Sequence, residues 1–432
     1  MEIIVNPDRS RWPELCLRPS SDNPLVRGRV EAIIERVRTG GDEALRALSL
    51  EIDRRPLETI EVTPAEFDEA EAQVSRAVKG AVARAMAHIL AFHKAQLPRE
   101  ICVETMPGVK CWQRPVPIGR VGLYVPGGTA PLFSTVLMLA LPARLAGCKT
   151  IVLCTPAGKD GKVAPEVLFC ARSCGVDAVY KIGGAQAVAA MAYGTQTVPK
   201  VDKIFGPGNQ YVTTAKQMLG GKVVSIDMPA GPSEVMVMAD ASARPAFVAS
   251  DLLSQAEHGP DSQAMLVCDS LSLAQAVKEE VLSQASRLGR EDFIGASLSK
   301  SRFFVFDSRE EMIDLANAYG AEHLIISMRE PWQVAGRITA AGSVFIGNYS
   351  PESAGDYASG TNHTLPTCGW AASCSGVNID SFIRKMTLQE LSSEGLGALS
   401  ETIITMAQAE GLEAHANAVR VRLAENEEED AQ

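Results

Sequence analysis

The sequence has no excess of positive charge and no long hydrophobic run. Its 432 residues include 41 Lys and Arg against 52 Asp and Glu, and the formal net charge is −11 at pH 7. Nucleic acids and anionic membrane surfaces are bound by basic faces, so this balance argues against both kinds of partner. The longest apolar stretch, residues 130–143, contains two prolines and falls short of the roughly 20 residues that cross a bilayer. We expect neither a nucleic-acid partner nor a membrane segment.

The sequence also lacks a paired-cysteine motif. Ten cysteines are scattered along the chain, and no two of them are spaced as C-x-x-C. This removes support for a cysteine zinc knuckle or a thioredoxin-like site. The first residues carry Glu2 and no apolar core of the kind that a secretory signal needs, and disulfide frameworks belong mainly to small secreted domains. These features predict a cytoplasmic protein with reduced thiols.

What the sequence does have is the composition and rhythm of an α/β protein. Hydrophobic residues make up 46% and charged residues 22%, which is ordinary for globular proteins, and the length indicates at least two domains. Short β-rich runs alternate with helix-like stretches in two series, at residues 121–125, 150–154, 178–182 and 201–205, and at 235–239, 264–268, 303–306, 324–327 and 343–347. This alternation predicts two Rossmann-like lobes with parallel-rich sheets and a ligand cleft between them.

Helical segments flank the two series. Residues 30–99 have a helical pattern, and a capping box from Thr63 to Glu66, with proline at the first helical position, begins their clearest element. Apolar residues at helical spacing from Val74 onward predict one helix over 63–97. Beyond a loop at 351–367 that is rich in Ser, Gly and Thr, the chain ends in a segment that we predict to be all helical. Its last eight residues form an acidic run typical of a solvated end.

The G-x-G-x-x-G fingerprint of dinucleotide-binding folds is absent as well. Three other glycine-rich turns follow predicted strands instead, PGG at 126–128, IGGAQA at 182–187 and GPGN at 206–209. Backbone N–H groups at the start of a helix after such a turn can hold a phosphate. A nucleotide site is one interpretation of three such turns in one lobe, and ordinary tight turns are the other.

Histidine is scarce, with six residues in the chain, and two of them belong to a candidate metal site. Gln255 and His258 lie three apart on a predicted helix, so their side chains share one face. With Asp356 and His415 they form a set of nitrogen and oxygen donors that a catalytic zinc can use. Sequence spacing does not show that the four meet, and the alternative is that His258 caps a helix and Asp356 turns a loop.

Glu322 and His323 are adjacent at a predicted helix-to-strand junction. A carboxylate beside an imidazole supplies two groups that can move protons near neutral pH. Neighbouring side chains of a regular strand point to opposite faces, so both can serve one site only if the backbone turns there. The alternative is an exposed pair at a strand edge.

These motifs follow one another in the order found in the histidinol dehydrogenase family. The segments that carry the resemblance are RVGLYVPGG (120–128), VDKIFGPGN (201–209), IDMPAGPSEV (226–235), SQAEHGPDSQ (254–263), AEHL (321–324), GDYASGTNHTLPT (355–367) and AEGLEAHANAVRVRL (409–423). The resemblance covers nearly the whole chain. It implies an NAD-dependent, zinc-requiring oxidoreductase of histidine biosynthesis, which oxidises L-histidinol to L-histidine through the aldehyde in two hydride transfers.

The resemblance also implies a role for each matching position. The zinc ligands, one ion per subunit, would be Gln255, His258, Asp356 and His415. His323 would be the general base on the alcohol, and Glu322 would activate the water that hydrates the aldehyde. Substrate contacts would come from the zinc ligands, His323, Ser233 and Glu410, and His363 is expected to line the same pocket. NAD would contact Tyr124, Gln186 and Asn209, which lie at the three glycine turns.

A homodimer is implied as well, with the C-terminal helical tail packed on the partner subunit. In that arrangement His415 and Glu410 would serve the partner's active site. The expected division of the chain is an N-terminal segment (1–25), a first α/β lobe (26–118 with 240–378), an NAD-binding lobe (119–239) and the helical tail (379–432).

Three other functions remain as alternatives. A paralogous dehydrogenase of another small polar alcohol, amino or sulfonated, would be expected to differ at Ser233, Glu322 or Glu410, and these residues favour histidinol. A zinc hydrolase could use Glu322 as its base, but the glycine turns argue against it. A binding or scaffold protein without catalysis would be expected to lack a metal ligand or the Glu-His pair, and none is missing. The nitrogen and oxygen donors alone do not distinguish zinc from other divalent metals.

Overall fold

A computed structural model describes residues 1–18, 24–127, 131–228 and 231–429. Gly128 of the predicted PGG turn, two residues of the IDMPAGPSEV segment and the end of the acidic run lie outside these ranges. The chain forms two compact units, residues 1–96 with 118–382 and residues 97–117 with 383–432. Within the described ranges, no helix is both long and apolar enough to cross a membrane.

All nine strands predicted from the sequence are confirmed, with bounds that shift by at most a few residues. In chain order the strands are β1 (Glu2–Val5), β2 (Ile101–Met106), β3 (Val109–Pro117), β4 (Arg120–Tyr124), β5 (Thr150–Cys154), β6 (Ala178–Tyr180), β7 (Lys203–Phe205), β8 (Ser225–Ile226), β9 (Glu234–Ala239), β10 (Gln263–Cys268), β11 (Arg302–Val305), β12 (His323–Ser327), β13 (Ser343–Ile346) and β14 (Ile383–Leu391). The sequence pattern did not predict β1, β2, β3, β8 or β14.

Helices connect most of these strands. In chain order they are α1 (Trp12–Leu15), α2 (Pro24–Leu48), α3 (Pro64–Gln73), α4 (Arg76–Lys94), α5 (Phe133–Ala146), α6 (Pro165–Ser173), α7 (Gly184–Tyr193), α8 (Gln210–Leu219), α9 (Pro245–Ala256), α10 (Leu271–Ala285), α11 (Glu291–Ser299), α12 (Arg309–Tyr319), α13 (Pro331–Ala335), α14 (Glu352–Tyr357), α15 (Ser393–Ala409) and α16 (Glu413–Glu429). Short 3₁₀ turns lie at Arg9–Arg11, Trp370–Ala372 and Ile379–Phe382, and a π turn at Ser49–Asp53 follows α2.

The capping box at the start of α3 is confirmed, but the single helix over 63–97 is wrong. The Thr63 hydroxyl accepts a hydrogen bond from the Glu66 N–H at 3.3 Å, and the Glu66 carboxylate accepts one from the Thr63 N–H at 2.8 Å. At Val74 the backbone becomes extended, and Ser75 starts a new helix by accepting the N–H three residues on at 3.2 Å. A serine at this position replaces the missing intrahelical acceptor, which favours two helices over one.

The first unit contains two fully parallel sheets with the same strand order. The five-stranded sheet has the order β6-β5-β4-β7-β8, and the six-stranded sheet has the order β1-β11-β10-β9-β12-β13. β1 is an additional strand at one edge of the six-stranded sheet. If β1 is left out and the remaining strands of each sheet are numbered in chain order, both sheets have the order 3-2-1-4-5. This is doubly wound topology, in which the order reverses between β4 and β7 and between β9 and β12. The prediction of two Rossmann-like lobes is confirmed.

Both faces of the six-stranded sheet are covered, which explains its nearly continuous apolar strands. Val235 and Val237 of β9 belong to the apolar cluster on one face, and Met236 and Met238 belong to the cluster on the other. This alternation follows from the two-residue period of a strand. Because β9 is buried on both faces, it is held firmly in the sheet, and it carries part of the site described below.

The structure differs from the expected lobe boundaries at two places. β9 pairs with β10 and β12 in the six-stranded sheet, whereas the boundary at residue 239 assigned it to the NAD-binding lobe. Helix α2, expected with residues 240–378, places Val26, Val30 and Ile34 in the core of the five-stranded lobe, where it contacts α7 and α8. The sequence pattern identifies an apolar helix face but not the sheet that covers it.

The second unit contains the antiparallel sheet β14-β3-β2 and the helices α15 and α16, which pack on each other. The C-terminal helical segment is confirmed by α15 and α16, over Ser393–Ala409 and Glu413–Glu429. It is wrong for residues 383–391, because these form β14 and pair with β3 along their whole length. The partner strand lies far away in the sequence, so the local pattern of residues 383–391 does not reveal the pairing.

Candidate active site

Glu322 and His323 lie together at the amino ends of β9 and β12. Glu322 is the last residue before β12 and His323 is the first residue of the strand. Because Glu322 precedes the regular strand, its side chain is free to turn toward its neighbour, and its Oε2 lies 3.6 Å from His323 Nδ1. Only 6% of Glu322 and 4% of His323 is exposed, so the alternative of an exposed strand-edge pair is wrong.

A backbone N–H holds the Glu322 carboxyl group. Glu322 Oε2 accepts a hydrogen bond from the Glu234 N–H at 2.9 Å. Burial raises the pKa of Glu322 well above its usual value, and the nearby carboxylates of Glu234 and Asp356 act in the same direction. A carboxylate in these surroundings accepts a proton more readily than one on the surface.

His323 is a neutral imidazole with one free nitrogen. Its Nδ1 lies 3.3 Å from the Glu234 carbonyl oxygen, and burial lowers the pKa of His323 to about 3. Its Nε2 is buried and has no hydrogen-bond partner among the described residues, with Asp356 Oδ1 at 3.7 Å. If Nδ1–H donates to the carbonyl oxygen, Nε2 keeps its lone pair and can accept a proton.

Helices α9 and α14 bring metal-binding side chains to the same place. His258 follows the end of α9, and Glu352 and Asp356 lie one turn apart on α14. The ligand atoms of these three residues all lie within 4.8 Å of one another. Burial raises the pKa of Asp356 to about 6 and raises that of Glu352 well above its usual value. A buried and a half-buried carboxyl group this close together favour a bound cation.

Gln255, in the last turn of α9, adds an amide to this group. With its nitrogen toward the surrounding acceptors, the amide donates to Glu352 Oε1 at 2.9 Å and to the Glu234 carbonyl oxygen at 3.2 Å. The same nitrogen lies 3.2 Å from His323 Nδ1. In this orientation the amide oxygen faces away from these acceptors and can bind a metal. Gln255, His258 and Asp356 together supply the oxygen and nitrogen donors of a catalytic zinc site, so the residues present fit the metal.

The remaining substrate-site candidates occupy different places. His363 adjoins the metal group, because its Nδ1 lies 2.9 Å from the Asp356 carbonyl oxygen and its Nε2 lies 3.2 Å from the Thr135 hydroxyl. Ser233 directly precedes β9 and is half-buried. Glu410 and His415 belong to the second unit, where Glu410 ends α15 and His415 lies in the first turn of α16. Both of these side chains are exposed.

The three candidate NAD contacts lie at the carboxyl ends of β4, β6 and β7 in the five-stranded sheet. Tyr124 ends β4, and its hydroxyl accepts a hydrogen bond from the Gly184 N–H at 3.0 Å. Gln186 lies in the first turn of α7, which follows β6. Asn209 caps α8, with its Oδ1 accepting the N–H groups of Tyr211 and Val212 at 3.0 and 3.2 Å. β4 and β7 flank the point where the strand order reverses, at which doubly wound sheets bind ligands.

The glycine turn after β7 is held tightly against β4. Gly206 has a φ of +124°, and a Cβ at this position would lie 2.1 Å from the Tyr124 carbonyl oxygen, so only glycine fits. The Gly206 N–H donates to Asp227 at 2.8 Å, and its carbonyl oxygen accepts from the Lys216 ammonium at 2.8 Å. Lys216 and Asp227 also form a buried ion pair. This turn is therefore fixed before any ligand arrives.

A cavity of about 320 Å³ opens beyond the carboxyl ends of β4 and β5. Pro126 and Gly127 line it on the β4 side, Thr155 and Pro156 on the β5 side, and residues of α3 close it. A Cβ on Gly127 would lie 2.5 Å from Pro156 Cγ. The glycine keeps the two strand ends in contact, and the cavity borders the turn that follows Tyr124.

Comparison with known proteins identifies the family. The family model described as histidinol dehydrogenase matches residues 16–423. The chain belongs to the histidinol dehydrogenase family. Histidinol dehydrogenase of Bacteroides fragilis is 55% identical over 425 residues, which cover 98% of this chain and 99% of that protein. Histidinol dehydrogenase of Xylella fastidiosa is 52% identical over 399 residues, which cover 92% and 93% of the two chains. The crystal structure of histidinol dehydrogenase from Elizabethkingia anophelis matches with a TM-score of 0.96 at 46% identity, covering 99% of both chains.

One site residue of this histidinol dehydrogenase family member was not identified from its sequence. Glu352 is 1% exposed and lies among Gln255, His323 and Asp356. The sequence feature that indicates Glu352 is its four-residue spacing to Asp356, which puts both side chains on one face of a helix. The prediction of an irregular loop over 351–367 is wrong at its start, because α14 forms there. Residues four apart share a face only in a helix, so the predicted loop gave no reason to pair Glu352 with Asp356.

Proposed function

We propose that this member of the histidinol dehydrogenase family oxidises L-histidinol to L-histidine through histidinaldehyde, with the four electrons passing to two NAD molecules. The observation that carries the proposal is the buried Glu322–His323 pair beside the metal-donor group of α9 and α14. Relatives named histidinol dehydrogenase at 52% and 55% identity over nearly the whole chain favour this substrate over another small polar alcohol. The charge balance and the cysteine usage support a cytoplasmic location.

One zinc ion per subunit would be held by Gln255, His258 and Asp356, with His415 as the fourth ligand. Support comes from the free amide oxygen of Gln255 and from the clustered carboxyl groups that need a cation. When bound, zinc would anchor the imidazole and amine groups of the substrate and fix the carbinol carbon. Glu352 would support these ligands, because its carboxylate would accept a hydrogen bond from the Gln255 amide nitrogen and hold the amide in place.

NAD would bind at the carboxyl ends of β4, β6 and β7, in contact with Tyr124, Gln186 and Asn209. The strand-order reversal between β4 and β7 and the adjoining cavity support this position. When bound, its nicotinamide would accept a hydride in each of the two oxidations. The Gly206 turn, locked by Lys216 and Asp227, would keep the three contacts in place.

His323 and Glu322 divide the proton transfers between them. In the first oxidation the hydroxyl proton of histidinol passes to His323 Nε2, while the Glu234 carbonyl oxygen holds Nδ1–H. In the hydration of the aldehyde, Glu322 takes a proton from the water whose oxygen bonds to the carbonyl carbon, and His323 returns its proton to the aldehyde oxygen, which becomes the second hydroxyl of the hydrate. His323 then accepts the hydroxyl proton of the hydrate in the second oxidation. Burial of both side chains keeps bulk water from these exchanges.

The active site would be shared between the subunits of a homodimer, with the partner's C-terminal helical segment supplying His415 and Glu410. Support comes from the exposure of both side chains and from the three protein ligands that the first unit already provides. A symmetric dimer would then contain two such shared sites.

A mixture of two inactive variants tests the shared site. His323→Asn and His415→Ala should each be inactive alone. After dissociation and reassociation at equal amounts, half of the dimers are hybrids, and each hybrid has one fully wild-type site, so about a quarter of wild-type activity should return. The measurement is the rate of NADH formation before and after mixing, with remixed His323→Asn alone as the control. If both sites are built within one subunit, no activity returns and the shared-site proposal fails.

The stoichiometry of NADH production tests the function itself. We expect two NADH per L-histidinol consumed with zinc present, and loss of this activity when a chelator removes the metal. Absorbance at the NADH band and chromatography of the amino-acid product measure the two quantities together. One NADH with accumulating aldehyde would contradict the second oxidation, and no NADH would contradict the proposed substrate.

A further inference from the structure

Glu234, the first residue of β9, contacts three side chains of the site through its backbone. Its N–H donates to Glu322 Oε2 at 2.9 Å. Its carbonyl oxygen lies 3.3 Å from His323 Nδ1 and 3.2 Å from the Gln255 amide nitrogen. A shift of this one peptide segment would therefore change the orientation of a carboxyl group, an imidazole and an amide at the same time.

The Glu234 side chain is anchored away from these contacts by Arg18. The guanidinium group binds the carboxylate in two-point fashion, with Nε at 2.5 Å from Oε1 and Nη2 at 3.0 Å from Oε2. The Cys368 N–H donates to Oε1 as well, at 2.8 Å. Only 2% of Glu234 is exposed. A buried two-point pair of this kind fixes both distance and direction.

Arg18 is held in turn by a rigid part of the six-stranded lobe. Its guanidinium carbon lies 3.9 Å from the centre of the Tyr319 ring, and its Nη2 donates to the Tyr319 carbonyl oxygen at 2.6 Å. The Tyr319 hydroxyl donates to Gln263 at 2.6 Å, and Gln263 is the residue of β10 that pairs with Glu234. Stacking and hydrogen bonding together leave the arginine little freedom.

We propose that the Arg18–Glu234 ion pair is a positioning device for catalysis, which holds the Glu234 backbone where it orients Glu322 and His323. The proposal rests on the proposed function, because that function assigns the two oriented groups their proton transfers. Neither Arg18 nor the Glu234 side chain has a proton-transfer role of its own. Both act through the Glu234 peptide.

The fold of β9 does not depend on this pair. The strand is paired with β10 and β12 on its two sides, and residues 235–239 are buried and apolar. At the opposite end, Asp240 accepts the Ser242 and Arg329 N–H groups at 2.9 and 2.8 Å. Loss of the ion pair should therefore displace the Glu234 peptide by a fraction of an ångström and leave the sheet intact.

The test compares Arg18→Met, Glu234→Gln and the double variant with the wild-type holoenzyme. Asp240→Asn is the matched control, since it removes a buried carboxylate at the other end of the same strand. For each protein, kcat is measured separately with L-histidinol and with histidinaldehyde, together with KM for NAD, zinc content and Tm. A crystal structure of Arg18→Met measures the distance from Glu322 Oε2 to the Glu234 nitrogen.

We expect kcat for both oxidations to fall by about 10- to 100-fold in Arg18→Met, because sub-ångström displacement of reacting groups has effects of this size. KM for NAD should not change, and the distance from Glu322 to Glu234 should exceed hydrogen-bond length. The double variant should recover part of the loss, since it no longer leaves a buried carboxylate unpaired. Asp240→Asn should keep kcat within about threefold of wild type because it lies far from the pair.

Unchanged kcat in Arg18→Met, with only Tm lowered, would overturn the positioning role while the proposed function stood. If the wild-type protein produced no NADH from L-histidinol, the proposed function would be refuted. The distance from Glu322 Oε2 to the Glu234 nitrogen in the Arg18→Met crystal structure would then decide the positioning role by itself. Should Arg18→Met not fold, Glu234→Gln and the double variant supply the same comparison. Equal kcat for those two proteins and wild type would then refute the proposal.

Discussion

Replacing His323 by asparagine is expected to lower kcat for L-histidinol oxidation by about 10²- to 10⁴-fold, the range that a positioned general base contributes. Asparagine can still donate to the Glu234 carbonyl oxygen, but it has no nitrogen with a free lone pair. Among the described residues, His323 Nε2 is buried without a partner, which makes it the atom prepared to accept the proton. Zinc should remain bound, because His323 is not one of the proposed ligands.

The measurement is single-turnover NADH formation with L-histidinol, together with metal analysis of the purified variant. His93→Asn is a matched control, since His93 is also a buried histidine with its Nδ1 against a backbone carbonyl, that of Ile89 at 2.9 Å. It should lower stability and leave kcat nearly unchanged. Wild-type turnover in His323→Asn would show that another group removes the proton.

Replacing Glu322 by glutamine is expected to slow oxidation of the aldehyde far more than oxidation of the alcohol. The amide oxygen can still accept the Glu234 N–H, so the local structure is kept, but it cannot take a proton from water. The second step should lose about 10²- to 10³-fold in rate, and the first should change by less than about tenfold. NADH per histidinol should fall from two toward one as histidinaldehyde accumulates.

The two steps are separated by using L-histidinol and histidinaldehyde as alternative substrates in rapid-mixing experiments. Glu322→Asp is the conservative control, because it keeps the carboxylate and shortens its reach. It should retain more of the second step than Glu322→Gln does. Equal losses in both steps for Glu322→Gln would mean that the carboxylate acts by electrostatics or structure and not as the base for hydration.

The sequence predicts most of the fold because the relevant signals are local. A buried parallel strand is a short apolar run, and the nine runs in two series correspond to nine of the eleven strands in the two parallel sheets. The capping box at Thr63 is equally local, since its two hydrogen bonds join residues three apart. The same predictions fail where a single polar residue redirects the chain, as Ser75 does by starting a second helix.

The residues of the candidate site could also be predicted only where the sequence carries a local indication of them. Glu322, His323, Gln255, His258 and Asp356 could be named from adjacent motifs and from the resemblance to a family, and the structure brings all five into one group. Glu352 was missed although its signal was present, because a glycine- and serine-rich stretch was interpreted as an irregular loop. Arg18 and Glu234 had no signal at all, since nothing near either residue indicates the other.

By itself, the sequence determined nine strands of the two parallel sheets, the glycine turns at strand ends of the five-stranded sheet and the family of the chain. Only the tertiary structure decided which lobe covers α2, which strand pairs with β14, and how Arg18 reaches a carboxylate 216 residues away. The physical reason is the range of the interactions. Propensity, capping and apolar periodicity act between near neighbours, whereas burial and ion pairing depend on which distant surfaces the folded chain brings together.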